Sequence, residues 1–110
     1  MATNAPFTVL GNTVVITASN PAPTPVQVPS TTLGGNQYRI INTGTNTVFL
    51  GFGSTAAQAT SGAVAPTSSQ SNCLPILPGT DEIITFAPNA YFTGNATANT
   101  VIYITPGDGI

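Results

Sequence analysis

Gln37-Tyr38-Arg39-Ile40-Ile41-Asn42, then Thr43-Gly44-Thr45-Asn46, then Thr47-Val48-Phe49-Leu50-Gly51-Phe52 is the stretch that decides the fold. Two runs rich in β-branched and aromatic residues flank a cluster of turn formers, which reads as strand, turn, strand. In the second run Val48, Leu50 and Phe52 share one face by period-two alternation. Each run is too short for a helix of ordinary length. Gly51 and Gly53 read as a bulge or a close backbone approach.

The same punctuation continues towards the C-terminus. Residues 54–72 are small and polar with no strong pattern, and read as a functional loop or flexible excursion, part of it able to pair as an edge strand. Cys73-Leu74-Pro75-Ile76-Leu77-Pro78 carries two prolines and reads as an edge or irregular strand. Gly79-Thr80 turns into a strand at Asp81-Glu82-Ile83-Ile84-Thr85-Phe86, which ends before Pro88-Asn89. Ala90-Tyr91-Phe92-Thr93 is a short strand closed by Gly94-Asn95. Thr100-Val101-Ile102-Tyr103-Ile104-Thr105 is the last strand, its Val-Ile-Tyr-Ile run suited to burial on both faces. Pro106-Gly107-Asp108-Gly109-Ile110 reads as turn chemistry.

Towards the N-terminus, Phe7-Thr8-Val9-Leu10 and Thr13-Val14-Val15-Ile16-Thr17 are separated only by Gly11-Asn12, which suits a two-residue hairpin. Pro21, Pro23 and Pro25 then remove backbone donors and favour an extended, polyproline-like connector. Val26-Gln27-Val28 is a short strand before Pro29. The expected fold is therefore all-β, a jelly-roll-like antiparallel β-sandwich of about eight short strands. Residues 1–36 hold the hairpin and the Pro-rich segment. Residues 37–110 are expected to form the sandwich core, with the long polar loop at 54–72.

Composition narrows the function. The 110 residues suit one domain, and only 4% of them are charged, against about 25% in an average soluble domain. Arg39, Asp81, Glu82 and Asp108 are the charged side chains, and histidine, lysine and tryptophan are absent. Without histidine there is no Ser/His or Cys/His dyad, and metal sites lose their commonest ligand. Asp81 and Glu82, as strand neighbours, point to opposite faces and make a poor acid–base pair. No loop has the spacing of a Ca²⁺ motif. Cys73 stands alone, so neither an intrachain disulfide nor a cysteine metal cluster forms, and it reads as a buried small hydrophobe. No catalytic residue, cofactor or metal is expected, and the chain does not read as an enzyme.

Partners are narrowed in the same way. One cation cannot neutralise a run of phosphates, which argues against nucleic acid, and no polybasic segment suits an anionic membrane. The apolar runs are far short of the roughly 20 residues that span a bilayer. Met1 to Pro6 lacks the features of a secretory signal, so synthesis in a cytoplasm is expected, and the Asn95-Ala96-Thr97 glycosylation pattern reads as chance. Arg39 reads as a snorkelling side chain, an ion-pair partner of Asp81 or Glu82, or an interface anchor. Tyr91, Phe92 and Tyr103 read as core rather than as sugar-stacking platforms. A neutral Thr/Asn/Ser surface with a net charge of −2 suits a subunit docked against others.

Three stretches together resemble small virion proteins of tailed bacteriophages, the capsid cement or decoration proteins. They are Tyr38 to Gly44 leading into Val48 to Gly53; Cys73 to Thr80 with Glu82; and Pro88 to Phe92 followed by Val101 to Ile110, which ends Thr105-Pro106-Gly107-Asp108-Gly109. The resemblance covers residues 37 to 110. It implies a jelly-roll-like sandwich on the capsid exterior, made in the host cytoplasm, that straps major capsid subunits together. The partners implied are the major capsid protein and, through symmetric contacts or homo-oligomers, further copies of the chain itself. Arg39 and the prolines Pro21, Pro23 and Pro25 are the expected interface residues; residues 1–36, outside the resemblance, are the candidate arm contacting neighbours, and loop 54–72 is the second candidate contact surface. The alternatives are a phage tail, fibre or spike component, or a carbohydrate-binding β-sandwich module.

Overall fold

The computed structural model describes residues 7–29, 36–65 and 73–109. The parts of the expected N-terminal arm at 1–6 and 30–35, and of the polar loop at 66–72, lie outside the described residues. Among those described, the strands are β1 (Phe7–Val9), β2 (Val14–Ala18), β3 (Val26–Gln27), β4 (Gln37–Asn42), β5 (Val48–Gly53), β6 (Leu74–Ile76), β7 (Asp81–Thr85), β8 (Tyr91–Asn95) and β9 (Thr100–Gly109). The helix α1 (Ala56–Gly62) lies between β5 and β6.

The strands form two antiparallel sheets packed as a sandwich. Sheet A runs β1-β9-β4-β7, with β2 also on β9; sheet B runs β3-β8-β5-β6. The pairings nest: β2 with β9, β3 with β8, β4 with β7, β5 with β6. One long antiparallel hairpin, rolled so that its successive layers fall in alternate sheets, produces this order, and β4–β9 and β5–β8 contacts close the roll. That is jelly-roll topology.

Burial follows the strand period. Ile16, Ala18, Tyr38, Ile40, Ile102 and Ile104 from sheet A meet Val48, Leu50, Ile76 and Phe92 from sheet B, all buried. Phe92 packs edge-to-face on Tyr38 with centroids 4.9 Å apart. Polar groups inside this core are matched. Tyr38 Oη donates to the Ala87 carbonyl (2.6 Å) and accepts the Ala90 N–H (3.2 Å), which fixes the β7–β8 connection. Asn42 Nδ2 donates to the carbonyls of Asn46 (2.8 Å) and Ile76 (3.0 Å), while its Oδ1 accepts the Gly44 N–H (2.9 Å).

The structure departs from expectation in four regions. Residues 7–18 are no hairpin: β1 and β2 lie in line along the same side of β9. The gap between them falls opposite Pro106. The Leu10 N–H donates to the Pro106 carbonyl (3.0 Å), but proline has no N–H to return to the edge strand, and the edge breaks there. Gly11 sits in the break because a Cβ would fall 2.7 Å from Pro106 Cγ. The supposed C-terminal turn is instead strand to Gly109, since Phe7, Thr8 and Val9 pair with Gly109, Asp108 and Gly107.

Second, β4 and β5 do not pair with each other. The turn between them carries the chain from sheet A to sheet B, held by the Asn42 side chain. Third, loop 54–72 contains α1, capped by Thr55, whose Oγ1 accepts the Gln58 N–H (3.2 Å). Fourth, residue 36 is no structural boundary: β1 to β3 belong to both sheets, and Ile16, Ala18 and Val28 lie in the core.

Candidate docking surface

The outer faces of the two sheets are treated differently by the chain. On sheet B, α1 packs over β5 and β8. Gly51 permits this, because a Cβ there would overlap the Ala59 carbonyl oxygen and the Ala63 amide nitrogen. The Pro-rich segment covers more of the same face: Thr93, buried and pointing outward on β8, donates its hydroxyl to the Pro23 carbonyl at 2.7 Å. The chain turns into this segment through a cis Asn20–Pro21 bond, with Ser19 Oγ donating to the Pro21 carbonyl at 2.8 Å.

Sheet A has no described element on its outer face. Register places Val15, Tyr103, Ile41 and Asp81 side by side across β2, β9, β4 and β7. Val15 is 57% exposed and Tyr103 38%, with Ile41 half-buried between Tyr103 and Asp81. The next rung carries Thr105, Arg39 and Ile83, the last 51% exposed. An apolar stripe thus crosses the sheet, bordered by Thr13, Thr17, Thr85 and Gln37. Thr13 and Thr105 hydroxyls share a 2.7 Å hydrogen bond on this face.

Arg39 is paired as one of its expected roles requires. Its Nε (2.9 Å) and Nη2 (2.6 Å) both donate to Asp81 Oδ2, and each side chain remains about half exposed. Glu82 lies opposite Ile40 and Asp81 opposite Ile41, so the two carboxylates leave β7 on opposite faces. Asp108 stands on another strand, opposite Thr8.

The expected interface residues are not brought together. Arg39 lies on the outer face of sheet A, whereas Pro21, Pro23 and Pro25 lie on the sheet B side. Pro21 is exposed; Pro23 and Pro25 are half-buried. Tyr103 is not core: with Ile102 and Ile104 buried on one side of β9, the residue between them must face out. Reading the Val-Ile-Tyr-Ile run as buried on both faces hid Tyr103, and with it the stripe through Val15 and Ile41. Strict alternation around Tyr103 was the available signal. Phe92 is core as expected, Tyr91 is half-buried, and Cys73 is half-buried rather than fully enclosed.

A cleft of about 610 Å³ opens at one end of the sandwich, lined by Phe52, Gly53, Ala57, Gln58, Ser61 and Phe86. Its rings meet edge-to-face, at 83° with centroids 5.2 Å apart, so they offer no flat platform for a sugar ring. Gln58 Oε1 is already engaged by the Ser54 N–H at 2.8 Å. Among the described residues, the outer face of sheet A is the one that no other element covers and that carries exposed apolar side chains in register.

Compared with protein-family models, curated proteins and solved structures, the chain matches none.

Proposed function

We propose that this chain is a structural protein of a phage virion, which binds the outside of the capsid and stabilises contacts between major capsid subunits. The observation that carries this reading is the contrast between the sheets among the described residues: sheet B is covered by the chain's own helix and Pro-rich segment, and no described element covers sheet A. The open face has an apolar stripe through Val15, Tyr103 and Ile41, a hydroxyl-rich border and one ion pair. Such a face loses little charge solvation when it lies against another protein surface. Repeated over a symmetric shell, many modest interfaces of this kind add up to firm attachment. The resemblance carried by residues 37–110 points the same way.

The test uses heads of the phage whose genome carries this reading frame, assembled and expanded without it. The purified protein is expected to co-sediment with those heads and to raise the temperature at which they release DNA. Attachment to tails instead of heads would move the chain to the tail, fibre or spike class. Failure to bind either, together with binding on a glycan array, would establish the carbohydrate-binding alternative.

A further inference from the structure

The sheet edges differ in what guards them. In sheet B, β3 lies between Pro25 and Pro29, and β6 contains Pro75, so proline interrupts the row of donors on both edges. In sheet A, β7 opens on the exposed carboxylates Asp81 and Glu82. Edge strand β2, Val14-Val15-Ile16-Thr17-Ala18, has neither proline nor charge, and its register against β9 is unbroken.

The direction of its main-chain groups follows from bonds elsewhere on β9. Leu10 donates to the Pro106 carbonyl on the β1/β2 side, and Thr43 donates to the Val101 carbonyl on the β4 side (3.1 Å). Alternate residues of a strand address alternate neighbours. Thr100, Ile102 and Ile104 therefore face β2 and engage Ala18, Ile16 and Val14. The N–H and C=O groups of Val15 and Thr17 point away from the sheet and meet no described strand; past Ala18 the same edge closes on β8, where Ser19 donates to the Gly94 carbonyl (3.3 Å) and accepts the Ala96 N–H (3.2 Å).

We propose that the β2 edges of two copies pair antiparallel about a two-fold axis at Ile16, joining two sheets A into one. In that register Val15 of one copy lies opposite Thr17 of the other, and the outward groups of these residues form about four main-chain hydrogen bonds. A second copy fits for three reasons. The register is self-complementary, so the contact is isologous and closes. The strand is uncharged, so identical edges do not repel. Val15 of each copy meets Thr17 of the other directly and the other Val15 on the diagonal, so the two stripes adjoin at the seam with an offset of one rung. Strands of five residues bury less than the roughly 1,200 Å² of a stable complex, so the dimer is weak, with a dissociation constant on the order of 100 μM. The inference rests on β2 geometry and stands independently of the capsid reading.

Sedimentation velocity on the full chain, from about 10 μM to about 1 mM, tests it without capsids. The wild type is expected to move towards twice the monomer mass over that range. Thr17→Pro removes an outward N–H and leaves the β2–β9 ladder intact; it is expected to raise the dissociation constant at least about tenfold. Ile83→Pro is the matched control on β7, where the Asn42 N–H to Thr80 carbonyl bond (3.0 Å) shows that the Ile83 N–H also points outward. It is expected to associate like the wild type. A wild type monomeric throughout, or association abolished by Ile83→Pro and kept by Thr17→Pro, overturns the proposal. If circular dichroism shows Thr17→Pro unfolded, the double variant Val15→Lys/Thr17→Lys replaces it, with outward side chains that leave the core untouched; its unchanged association would equally overturn the seam.

Discussion

Asn42 and Ile76 belong to opposite sheets, and the Asn42 side-chain amide reaches the Ile76 carbonyl at 3.0 Å. The same side chain holds Asn46 and Gly44 in the turn that carries the chain between those sheets. Asn42→Ala strands two carbonyls and an N–H, and is expected to cost about 2–4 kcal/mol in urea unfolding. Asn42→Asp keeps the acceptor but turns a carboxylate towards two carbonyl oxygens. The folded state then holds that carboxyl protonated, with its pKa above the unfolded value. The variant's stability is present below the carboxylate range and lost as pH rises through it. Measured against the wild type, the loss is expected to be larger at pH 7 than at about pH 3.

Tyr38→Phe keeps the ring contact with Phe92 and removes both hydroxyl bonds. A loss of about 1–3 kcal/mol is expected, because the buried Ala90 N–H is left without an acceptor. Hydrogen exchange at the Ala90 amide is the local readout and should quicken more than exchange at Ile40. Equal changes at both sites would show that the hydroxyl does not fix the β7–β8 connection.

Two glycines separate close approach from backbone conformation. Gly51→Ala drives a methyl group into the α1 backbone, and is expected to cost more than about 2 kcal/mol and to detach the helix. Gly79→Ala meets nothing within 4 Å; its φ of +71° alone limits the cost to about 1 kcal/mol. Thermal unfolding of the pair ranks them, and the reverse order would remove α1 from its place over β5.

Arg39→Ala breaks an exposed ion pair and is expected to change stability by less than about 1 kcal/mol. If sheet A docks on capsid subunits, the same change is expected to weaken head binding at least about tenfold, since arginine is enriched among residues that carry interface energy. Pro21→Ala, on the other side of the sandwich, is expected to leave head binding unchanged. Titration onto depleted heads measures both.

The strands were legible because each is a short apolar run bounded by Gly, Pro or Asn, and β4 was legible to the residue. Their pairing was not. Gly11-Asn12 has hairpin chemistry, yet both flanking strands pair instead with β9, nearly a hundred residues away. The helix had a local signature, Thr55-Ala56-Ala57-Gln58, which fits a capping box before a helix-forming alanine pair. It was masked by the polar stretch around it. The docking face was half visible: Arg39 could be placed on a strand, but its neighbours Val15, Tyr103 and Ile83 come from three other strands, and cross-strand register is a property of the fold alone.

Strand β9, residues 100–109, is the shared neighbour of β1, β2 and β4. During synthesis β1 and β2 are made well before the strand they pair with, and β4 can pair only with β7 until β9 follows. Sheet B lacks nothing by then, since β3, β5, β6 and β8 all precede residue 96. Assembly is thus ordered along the chain: every strand of sheet B precedes β9, and the face that carries the docking stripe is complete only once β9 joins it.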